Sequence, residues 1–358
     1  MKSKLAALYD PYLNTLGGGE KHLLSILQVL EQRNYKIHIY WDEKLTQAFQ
    51  EKLNITFQTA PVFKENIFQE HVSAIEKLKI LSQYDILIYA TDGSYFFSTA
   101  HHTYIFAMIP NRALYTTSLL NKAKLLNARF ITNSRYTQGK LQEWNISSQV
   151  LYPYLDRDIL KKHTTPKEHI ILNVGRFFPQ LHSKRQDVAI RAFQKLVQSQ
   201  KYADFTLILA GGLLKEDQEY YESLQTLTQG DKRIIFMPNI THDELIKLYR
   251  RSLIYWHCAG YGVDTKIHPE NVEHLGITPL EAMASGCITF CYNAGGPQET
   301  IVDGETGFLY NSIDELIEKT EYVLKIKTAN EIRTNAHEFV SRAFSYEAFT
   351  QQVNAIIA

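Results

Sequence analysis

Short apolar runs, separated by stretches with helical spacing, constrain the fold of this chain more than any other feature. Leu23, Leu27 and Leu30, for example, recur at the interval that places side chains on one face of a helix. The apolar runs are continuous, which is typical of strands buried on both faces of a parallel sheet. Strands are predicted at residues 5–9, 37–41, 85–90, 104–108, 129–132, 149–152, 169–174, 205–210, 234–237, 254–257 and 287–291. The sequence therefore predicts an α/β fold in which helices cover parallel sheets.

The stretches between these runs predict the helices. One helix opens at Glu20, and the spacing predicts others at residues 43–53, 66–82, 184–199, 242–251, 279–285, 313–326, 329–342 and 345–357. The alternation pauses at residues 153–168, where Pro153, Pro166 and mixed charges indicate a linker. Two successive α/β units of similar size predict two Rossmann-like domains facing a cleft, at residues 1–155 and 165–342.

Composition excludes several classes of protein. The formal net charge is +0, whereas a general nucleic-acid binder usually carries a basic excess, so we expect no nucleic-acid partner. No apolar run is long enough to span a membrane, and the first residues do not resemble a signal peptide, so we expect a cytoplasmic protein. The three cysteines are an odd number and do not suggest a disulfide framework. Cys287 and Cys291 lie in a strand-like run and are predicted to be buried thiols.

The segment 93–142 contains no acidic residue, so a basic face is predicted in the first domain. Such a face suits an anionic acceptor or anionic lipid headgroups, although basic residues scattered over a solvated surface explain the composition equally well. The residues concerned are Arg112, Lys122, Lys124, Arg129, Arg135 and Lys140, together with His101 and His102 just before them.

Two motifs lie at predicted strand ends, where open α/β sheets bind ligands. Gly17, Gly18 and Gly19 stand between the first strand and the first helix. Glycines there allow backbone N–H groups to approach a phosphate, or they form a plain turn. Arg176 follows a strand of the second domain, and Lys184 precedes the next helix. These two cations suit a diphosphate, unless both are simply solvated.

A third motif is the segment 273–286. Thr278 has the character of a helix N-cap, with Pro279 at the first helical position and Glu281 completing a capping box. Glu273 and Glu281 bracket this helix start, and the N–H groups of residues 276–278 lie between them. Carboxylates accept hydrogen bonds from sugar hydroxyls and amides bind phosphates, so the pattern suits a nucleotide-linked sugar.

The segment 273–286 resembles the E-x7-E segment of glycosyltransferase family 4, whose members are retaining enzymes of the two-domain GT-B fold. Further motifs of the same family resemble stretches along essentially the whole chain and keep their order. These stretches are Gly17 to Glu20, Ile131 to Thr137, Gly175 to Asp187, Asn293 to Glu299 and Asp303 to Leu309. The stretch 256–276 is similar to a subgroup that includes mannosyltransferases of lipid-linked glycan assembly and bacterial polysaccharide enzymes.

The resemblance implies a role for each matching residue. Arg176 and Lys184 would hold the donor diphosphate, Glu281 the ribose hydroxyls and Glu273 the donor sugar. Domain 1–155 would lie on the acceptor side, domain 165–342 would bind the nucleotide sugar, and the helix in 343–358 would cross back onto the first domain. The donor-binding set is Gly17, Gly18, Gly19, Arg176, Lys184, Glu273, His274, Leu275, Gly276, Ile277, Thr278 and Glu281.

One departure from the family concerns catalysis. Many members carry a histidine at a strand end of the first domain, but the matching stretch here, residues 104–110, has none, and the spacing of His101 and His102 does not fit. Asp92, at another predicted strand end, is the substitute candidate. The predicted catalytic set is therefore Glu273, Arg176, Lys184 and Asp92.

The expected reaction moves a sugar from a nucleotide-diphosphate sugar to a hydroxyl of a polysaccharide or lipid-linked glycan. UDP-sugars are favoured as donors and GDP-mannose comes next. No metal or cofactor is expected, since the two cations can stabilise the leaving diphosphate. A nucleotide-sugar epimerase and a non-catalytic sugar-binding protein are the alternatives. A further expectation left open is that segment 93–142 makes peripheral contact with the inner face of an anionic membrane.

Overall fold

A computed structural model describes residues 4–68, 72–116, 118–180 and 183–357. The chain divides into two compact units. Unit 1 consists of Met1–Tyr154 together with Phe349–Ala358, and unit 2 of Leu155–Ala348. Each unit is built on its own parallel sheet, so the predicted fold class of two Rossmann-like α/β sheets is confirmed.

The described residues of unit 1 form a seven-stranded parallel sheet in the order β3-β2-β1-β4-β5-β6-β7. All five residues of β4 are buried, as a continuous apolar run predicts for a strand covered on both faces. The strands are β1 Leu5–Tyr9, β2 Lys36–Tyr40, β3 Val62–Lys64, β4 Ile86–Ala90, β5 His102–Ala107, β6 Ala128–Thr132 and β7 Ser148–Val150. The helices are α1 Gly18–Gln32, α2 Thr46–Leu53, α3 Ala74–Leu81, α4 Leu119–Lys124 and α5 Arg135–Glu143.

Unit 2 contains a six-stranded parallel sheet in the order β10-β9-β8-β11-β12-β13 among its described residues. Its core includes the fully buried Trp256, whose indole N–H donates to Thr320 Oγ1 at 3.2 Å. The strands are β8 Glu168–Val174, β9 Thr206–Gly211, β10 Ile234–Pro238, β11 Ser252–His257, β12 Ile288–Tyr292 and β13 Phe308–Tyr310. The helices are α6 Arg157–Leu160, α7 Gln186–Leu196, α8 Gln218–Leu227, α9 His242–Arg251, α10 Ile277–Ala284, α11 Pro297–Thr300, α12 Ile313–Val323 and α13 Ala329–Ala343.

The last helix, α14 (Tyr346–Ile356), delivers the end of the chain to unit 1. Phe349 is buried there beside the ring of His22, with ring centroids 5.7 Å apart. Arg33 donates to the carbonyl of Ile357 at 2.8 Å, and Tyr104 donates to that of Ile356 at 3.2 Å. The return of the C-terminal helix to the first sheet therefore rests on both apolar packing and hydrogen bonds.

One predicted helix is shorter in the structure, and several elements were not predicted. The helix predicted at 66–82 is helical only over Ala74–Leu81, where the Ser73 hydroxyl accepts from the N–H of Glu76 and caps the N-terminus. Residues 69–71 of that prediction lie outside the described residues. The edge strands β3 and β13 and the helix α8 were not predicted, and the short helix α6 lies within the segment 153–168 that was predicted as a linker.

The strand order of each sheet indicates where a ligand would bind. In unit 1 the order reverses between β1 and β4, and in unit 2 between β8 and β11. Open α/β sheets bind ligands at the carboxyl ends of the strands beside such a reversal.

Across the described residues, no helix combines the length and apolar character needed to cross a bilayer.

Phe349→Ala tests the docking of the last helix in unit 1. Removing a buried phenylalanine ring costs about 3–5 kcal/mol, so we expect faster hydrogen exchange in β1, α1 and α14 and no change in the strands of unit 2. Asn354→Ala, an exposed change on the same helix, is the control. Equal exchange in the two variants would show that Phe349 does not anchor this helix.

Candidate functional site

The carboxyl end of β8 is shaped by close backbone approaches that only glycine allows. A Cβ atom on Gly175 would lie 2.2 Å from Cγ of Lys184, so the absent side chain lets the lysine stem cross the strand end. A Cβ on Gly211, at φ +156°, would lie 2.1 Å from the carbonyl oxygen of Gly175. These contacts bring Lys184 to the carboxyl end of β8. The neighbouring strand in the sheet, β11, ends there with His257.

Lys184, Glu273 and His257 form one hydrogen-bonded cluster. The Lys184 ammonium donates to Glu273 Oε2 at 2.5 Å, and Nε2 of His257 lies 3.0 Å from the same oxygen. His257 ends β11 and is fully buried. Burial lowers the pKa of His257 despite the neighbouring carboxylate, so its ring is neutral and Nε2–H is the donor. The cluster fixes the orientation of the Glu273 carboxylate from two sides.

The charge of Glu273 is secured by its neighbours. Burial raises the pKa of this carboxyl, but the Lys184 ammonium and the hydrogen bond from His257 outweigh burial and hold the pKa well below its usual range. Glu273 is therefore an ionised acceptor in an otherwise buried setting. Such a group can accept hydrogen bonds from hydroxyls while it stays ionised.

The helix after Glu273 begins differently from the prediction. Gly276, at φ +97°, is the N-cap of α10, so the prediction of Thr278 as N-cap is wrong. The Thr278 hydroxyl instead accepts from Tyr255 at 2.8 Å, and Glu281 accepts from the buried Tyr249 hydroxyl at 3.0 Å rather than closing a capping box. The early start brings Ile277 and Thr278 into the first turn, whose N–H groups lack acceptors within the helix.

The backbone before α10 is held from the loop after β12. The N–H of Gly296 donates to the carbonyl of Glu273 at 2.8 Å. Cβ atoms on Gly295 and Gly296 would lie 2.1 Å from the Glu273 carbonyl oxygen and 2.3 Å from Cα of Leu275. His274 turns away, with Nε2 3.0 Å from the Glu270 carbonyl, and burial lowers its pKa. The side chains of His274 and Leu275 are both buried, so only their backbone groups could contribute to a binding site.

Arg176 differs from Lys184 in having no carboxylate partner among the described residues. Its guanidinium lies exposed over the ring of Phe178, 4.0 Å from the centroid. The strand end therefore carries one cation already paired with a carboxylate and a second that can meet an anionic ligand.

The glycine motif of unit 1 is partly occupied by its own helix. Gly17 is the N-cap of α1, and its N–H donates to Glu20 Oε2 at 2.6 Å. A Cβ on Gly19 would lie 2.4 Å from Sδ of Met108, whereas Gly18 has open space around it. The amide of Gly17 already donates to a carboxylate, so of the three predicted positions Gly18 and Gly19 remain as candidates for the predicted phosphate contact.

Asp92 and Asp10 follow the adjacent strands β4 and β1. The exposed carboxylate of Asp92 accepts from the N–H of Ser94 at 2.9 Å. An aspartate that bonds the backbone two residues on forms a local turn, so this hydrogen bond gives Asp92 a structural role as well. Sequence reasoning missed Asp10, whose side chain is fully buried. Its Oδ1 accepts from the N–H of Tyr12 at 2.9 Å, and Oδ2 has no hydrogen-bond partner in the described part of the chain.

The protonation of Asp10 is unusual. Burial raises the pKa of Asp10 to about 7, and the nearby Glu20 adds to the rise, while the N–H of Tyr12 lowers it. An acid directly after the first apolar run was the sequence signal that could have found it. Asp10 is thus a carboxyl that changes charge near neutral pH, at the strand end beside the glycine motif.

A family model described as "Glycosyl transferases group 1" matches residues 156–339, just over half of the 358 residues. The chain belongs to this family. The match takes in the whole Lys184–Glu273–His257 cluster and all of α10. The two unit sheets and the family agree with the enzyme class predicted from the motifs, whereas the assignment to family 4 stays a prediction.

Relatives of this glycosyltransferase chain have named substrates. "GDP-Man:Man(3)GlcNAc(2)-PP-Dol alpha-1,2-mannosyltransferase" of Xenopus laevis is 25% identical over 434 aligned positions, covering 97% of this chain and 86% of that protein. The mouse protein of the same name is 29% identical over 242 positions, covering 61% of this chain. The match spans 46% of the mouse protein, so the chain corresponds to about half of that relative's length.

Among solved structures, HepE of Anabaena in complex with UDP and glucose matches with a TM-score of 0.71 at 18% identity. The match covers 99% of this chain and 98% of HepE. At this identity the likeness establishes the fold.

The three cysteines are buried and free, as predicted for Cys287 and Cys291.

Asp10→Asn tests the buried acid of this glycosyltransferase. The folded pKa of about 7 lies above the ordinary value of 3.8, so the folded chain keeps a proton that the unfolded chain releases between these values. The resulting stabilisation is complete below the unfolded pKa and is lost as pH rises through about 7. Asparagine has no such proton but still accepts from the N–H of Tyr12.

We therefore expect the unfolding free energy of the wild type to fall, relative to D10N, by up to about 1.4 kcal/mol per pH unit between pH 4 and 7. Urea unfolding of both proteins at several pH values measures the difference. A difference that stays constant across this range would contradict the assignment.

Proposed function

We propose that this chain transfers a sugar, with retention of anomeric configuration, from a nucleoside diphosphate sugar to a hydroxyl of a lipid-linked glycan. The observation that carries the proposal is the ionised Glu273, held between Lys184 and His257 immediately before the start of α10. A fixed carboxylate beside a helix N-terminus suits a ligand that combines hydroxyls with phosphates.

The donor is bound by groups of opposite character. Arg176, Lys184 and the first N–H groups of α10 contact the diphosphate, because cations and helix N-termini both attract anions. Glu273 accepts hydrogen bonds from the sugar hydroxyls. Glu281, already oriented by Tyr249, accepts from the ribose hydroxyls.

The reaction places charge where these groups can stabilise it. The bond between the anomeric carbon and the phosphate oxygen breaks, and the bond to the acceptor oxygen forms on the same face. The acceptor proton passes to the departing phosphate, so the atoms and charges balance. Arg176 and Lys184 stabilise the negative charge of the leaving diphosphate, and Glu273 orients the sugar.

Unit 1 supplies the acceptor side in this proposal. The exposed carboxylate of Asp92 and the amides of Gly18 and Gly19 lie at strand ends where hydroxyl-bearing ligands bind. Asp92 replaces the family histidine that residues 104–110 lack. It contacts an acceptor or donor hydroxyl rather than acting as a nucleophile.

GDP-mannose is the donor we propose. The motifs do not distinguish UDP from GDP, and a UDP-sugar was favoured only because it is frequent in the family. The Xenopus laevis relative, which aligns with 97% of this chain, is named for GDP-Man. The UDP in the HepE complex belongs to a protein only 18% identical. We also propose that no metal takes part, since Arg176 and Lys184 supply positive charge at the leaving group.

Ligand-dependent unfolding tests the donor. A ligand at about 100 times its Kd stabilises a protein by about 2.7 kcal/mol. We expect GDP to raise the Tm by several degrees in the presence of EDTA, and UDP, ADP and NAD to raise it less. A larger shift with UDP would reverse the base assignment, and a shift that needs added metal would contradict metal-independence.

Two variants test the roles within the site. Glu273→Gln removes the charge that Lys184 and His257 orient, and we expect kcat for mannosyl transfer to a lipid-linked glycan to fall about 100-fold. Glu281→Gln keeps an acceptor for Tyr249, and we expect mainly an increase of about tenfold in the donor KM. An unchanged rate in E273Q would refute its role in orienting the sugar.

The same assay separates the alternative functions. An epimerase would convert the nucleotide sugar without an acceptor, and a non-catalytic sugar-binding protein would show the Tm shift without turnover. Turnover that depends on an acceptor is the result that the proposal requires.

We further propose that unit 1 contacts an anionic membrane through α4 and the residues that directly follow it. Leu119, Leu120 and Leu126 are 86%, 59% and 88% exposed, and they lie beside Lys122 and Lys124. Burying each leucine in a bilayer interface is worth about 1.5–3 kcal/mol, and each lysine near anionic lipid adds about 1 kcal/mol. The absence of acidic residues from 93–142 favours this partner over a solvated surface.

The triple change Leu119→Gln, Leu120→Gln and Leu126→Gln tests this contact. We expect binding to vesicles of phosphatidylcholine and phosphatidylglycerol to fall at least tenfold, because the inserted apolar area is lost while the basic charge remains. Ile267→Gln, at an exposed isoleucine of unit 2, is the control. Equal sedimentation of the triple variant and the wild type would remove α4 from the proposal.

A further inference from the structure

Unit 2 contains a basic cavity of about 310 Å³ at the C-terminal end of α10. Lys162 and His163 line it from one side, and Arg333 and His337 line it from α13. Asn330, Arg333, Thr334 and His337 stand at the spacing that places them on one face of this helix. None of these residues belongs to the donor site proposed above.

Part of this basic character serves α10 itself. The last carbonyls of a helix lack intrahelical partners and carry about half a negative charge together. Four side chains cover them here. The contacts are His337 Nδ1 with the Ala284 carbonyl at 2.7 Å, His163 Nε2 and Lys167 Nζ with the Ser285 carbonyl at 3.0 and 2.7 Å, and Arg333 Nε with the Gly286 carbonyl at 2.7 Å.

The positive charge exceeds what the helix end can neutralise. Lys162, Lys167 and Arg333 make no ion pair with a carboxylate within the described residues, and the cavity lining contains no acidic side chain there. Burial lowers the pKa of Lys167, and the nearby Arg333 lowers it further. Burial also lowers the pKa of Arg333. Lys167 and Arg333 are partly buried cations whose partners are neutral carbonyls, so a bound anion would be favoured beside them.

Donors remain for such an anion. Arg333 uses Nε for the Gly286 carbonyl and Nη1 for Asn330 at 3.0 Å, so that Nη2 has no hydrogen-bond partner among the residues that the structure describes. The exposed ammonium of Lys162 makes no hydrogen bond with a described residue and stands at the mouth of the same cavity. A guanidinium edge and an ammonium facing one cavity are the pair of groups that proteins use for phosphate.

We propose that this cavity is a second anion site, which binds a phosphate-bearing ligand between Lys162 and Arg333. Its volume equals that of about ten water molecules in the liquid, so it can hold a pyrophosphate or a phosphate attached to an organic group. The ligand is either a free phosphate compound or a lipid headgroup, because both present the same dianionic oxygens. The inference does not depend on the proposed transfer reaction.

Calorimetric titration of the full chain with pyrophosphate tests the site, with GDP present to occupy the donor site. We expect saturable binding that Lys162→Gln weakens about tenfold, as loss of one charge-assisted hydrogen bond implies. Arg333→Gln should weaken it at least as much. Lys161→Gln, the neighbouring lysine that lines a different cavity, should leave it unchanged within twofold.

Vesicles of phosphatidylcholine with phosphatidic acid distinguish the two sources. If K162Q weakens binding to these vesicles as well as to pyrophosphate, the ligand is a headgroup; if only pyrophosphate binding falls, it is a free compound. No saturable pyrophosphate binding, or binding that K162Q leaves intact, would show that the basic groups serve only as a cap for α10. Since K162Q removes no hydrogen bond to a described residue, the test holds whether or not R333Q folds.

Discussion

The ion pair between Lys184 and Glu273 determines the arrangement of the unit 2 site. A buried carboxylate is costly in isolation, so Glu273 needs an ammonium at hydrogen-bond distance to remain charged. That ammonium reaches it only because Gly175 leaves the strand end open for the lysine stem. Glu273 precedes the N-cap Gly276 of α10 by three residues, and its backbone carbonyl is held by the N–H of Gly296. Three local features thus occur together at this site: the ion pair, the open strand end at Gly175 and the start of α10 at Gly276.

The helix that begins at this turn links two chemically different surfaces. Its first turn presents N–H groups beside Glu273, whereas its last carbonyls are covered by His163, Lys167, Arg333 and His337. Covering the negative end with cations stabilises the helix. It also concentrates positive charge in a cavity away from the first turn. A helix can thus supply an anion site at each end, one through its own amides and one through the side chains that its carbonyls recruit.

The parts of the structure that could be predicted from the sequence depend on local periodicity. The helix predicted at 242–251 is observed as His242–Arg251, and the strand predicted at 5–9 is observed as Leu5–Tyr9. The cap of α10 was missed because the positive φ of Gly276 is imposed by tertiary packing, while Thr278 merely has the right composition for a cap. The hydrogen bond from Tyr249 to Glu281 could not be predicted from local sequence either, because Tyr249 lies 32 positions earlier in the chain. Motifs identify which residues carry chemistry, but only the fold shows which groups orient them.

The two units differ in the charged residues at their strand ends, and under the proposed reaction this difference would suit an acceptor in unit 1 and a nucleotide donor in unit 2. The ends of β1 and β4 carry Asp10 and Asp92, whereas the residues that follow β8 include Arg176 and, further on, Lys184. Carboxyl groups suit a neutral ligand rich in hydroxyls, and cations suit a diphosphate. Asp10 adds a constraint, because its pKa of about 7 means that this strand end of unit 1 gains a negative charge as pH rises through neutrality. Its side chain is fully buried, so this charge acts on the stability of unit 1 rather than through direct contact with a ligand.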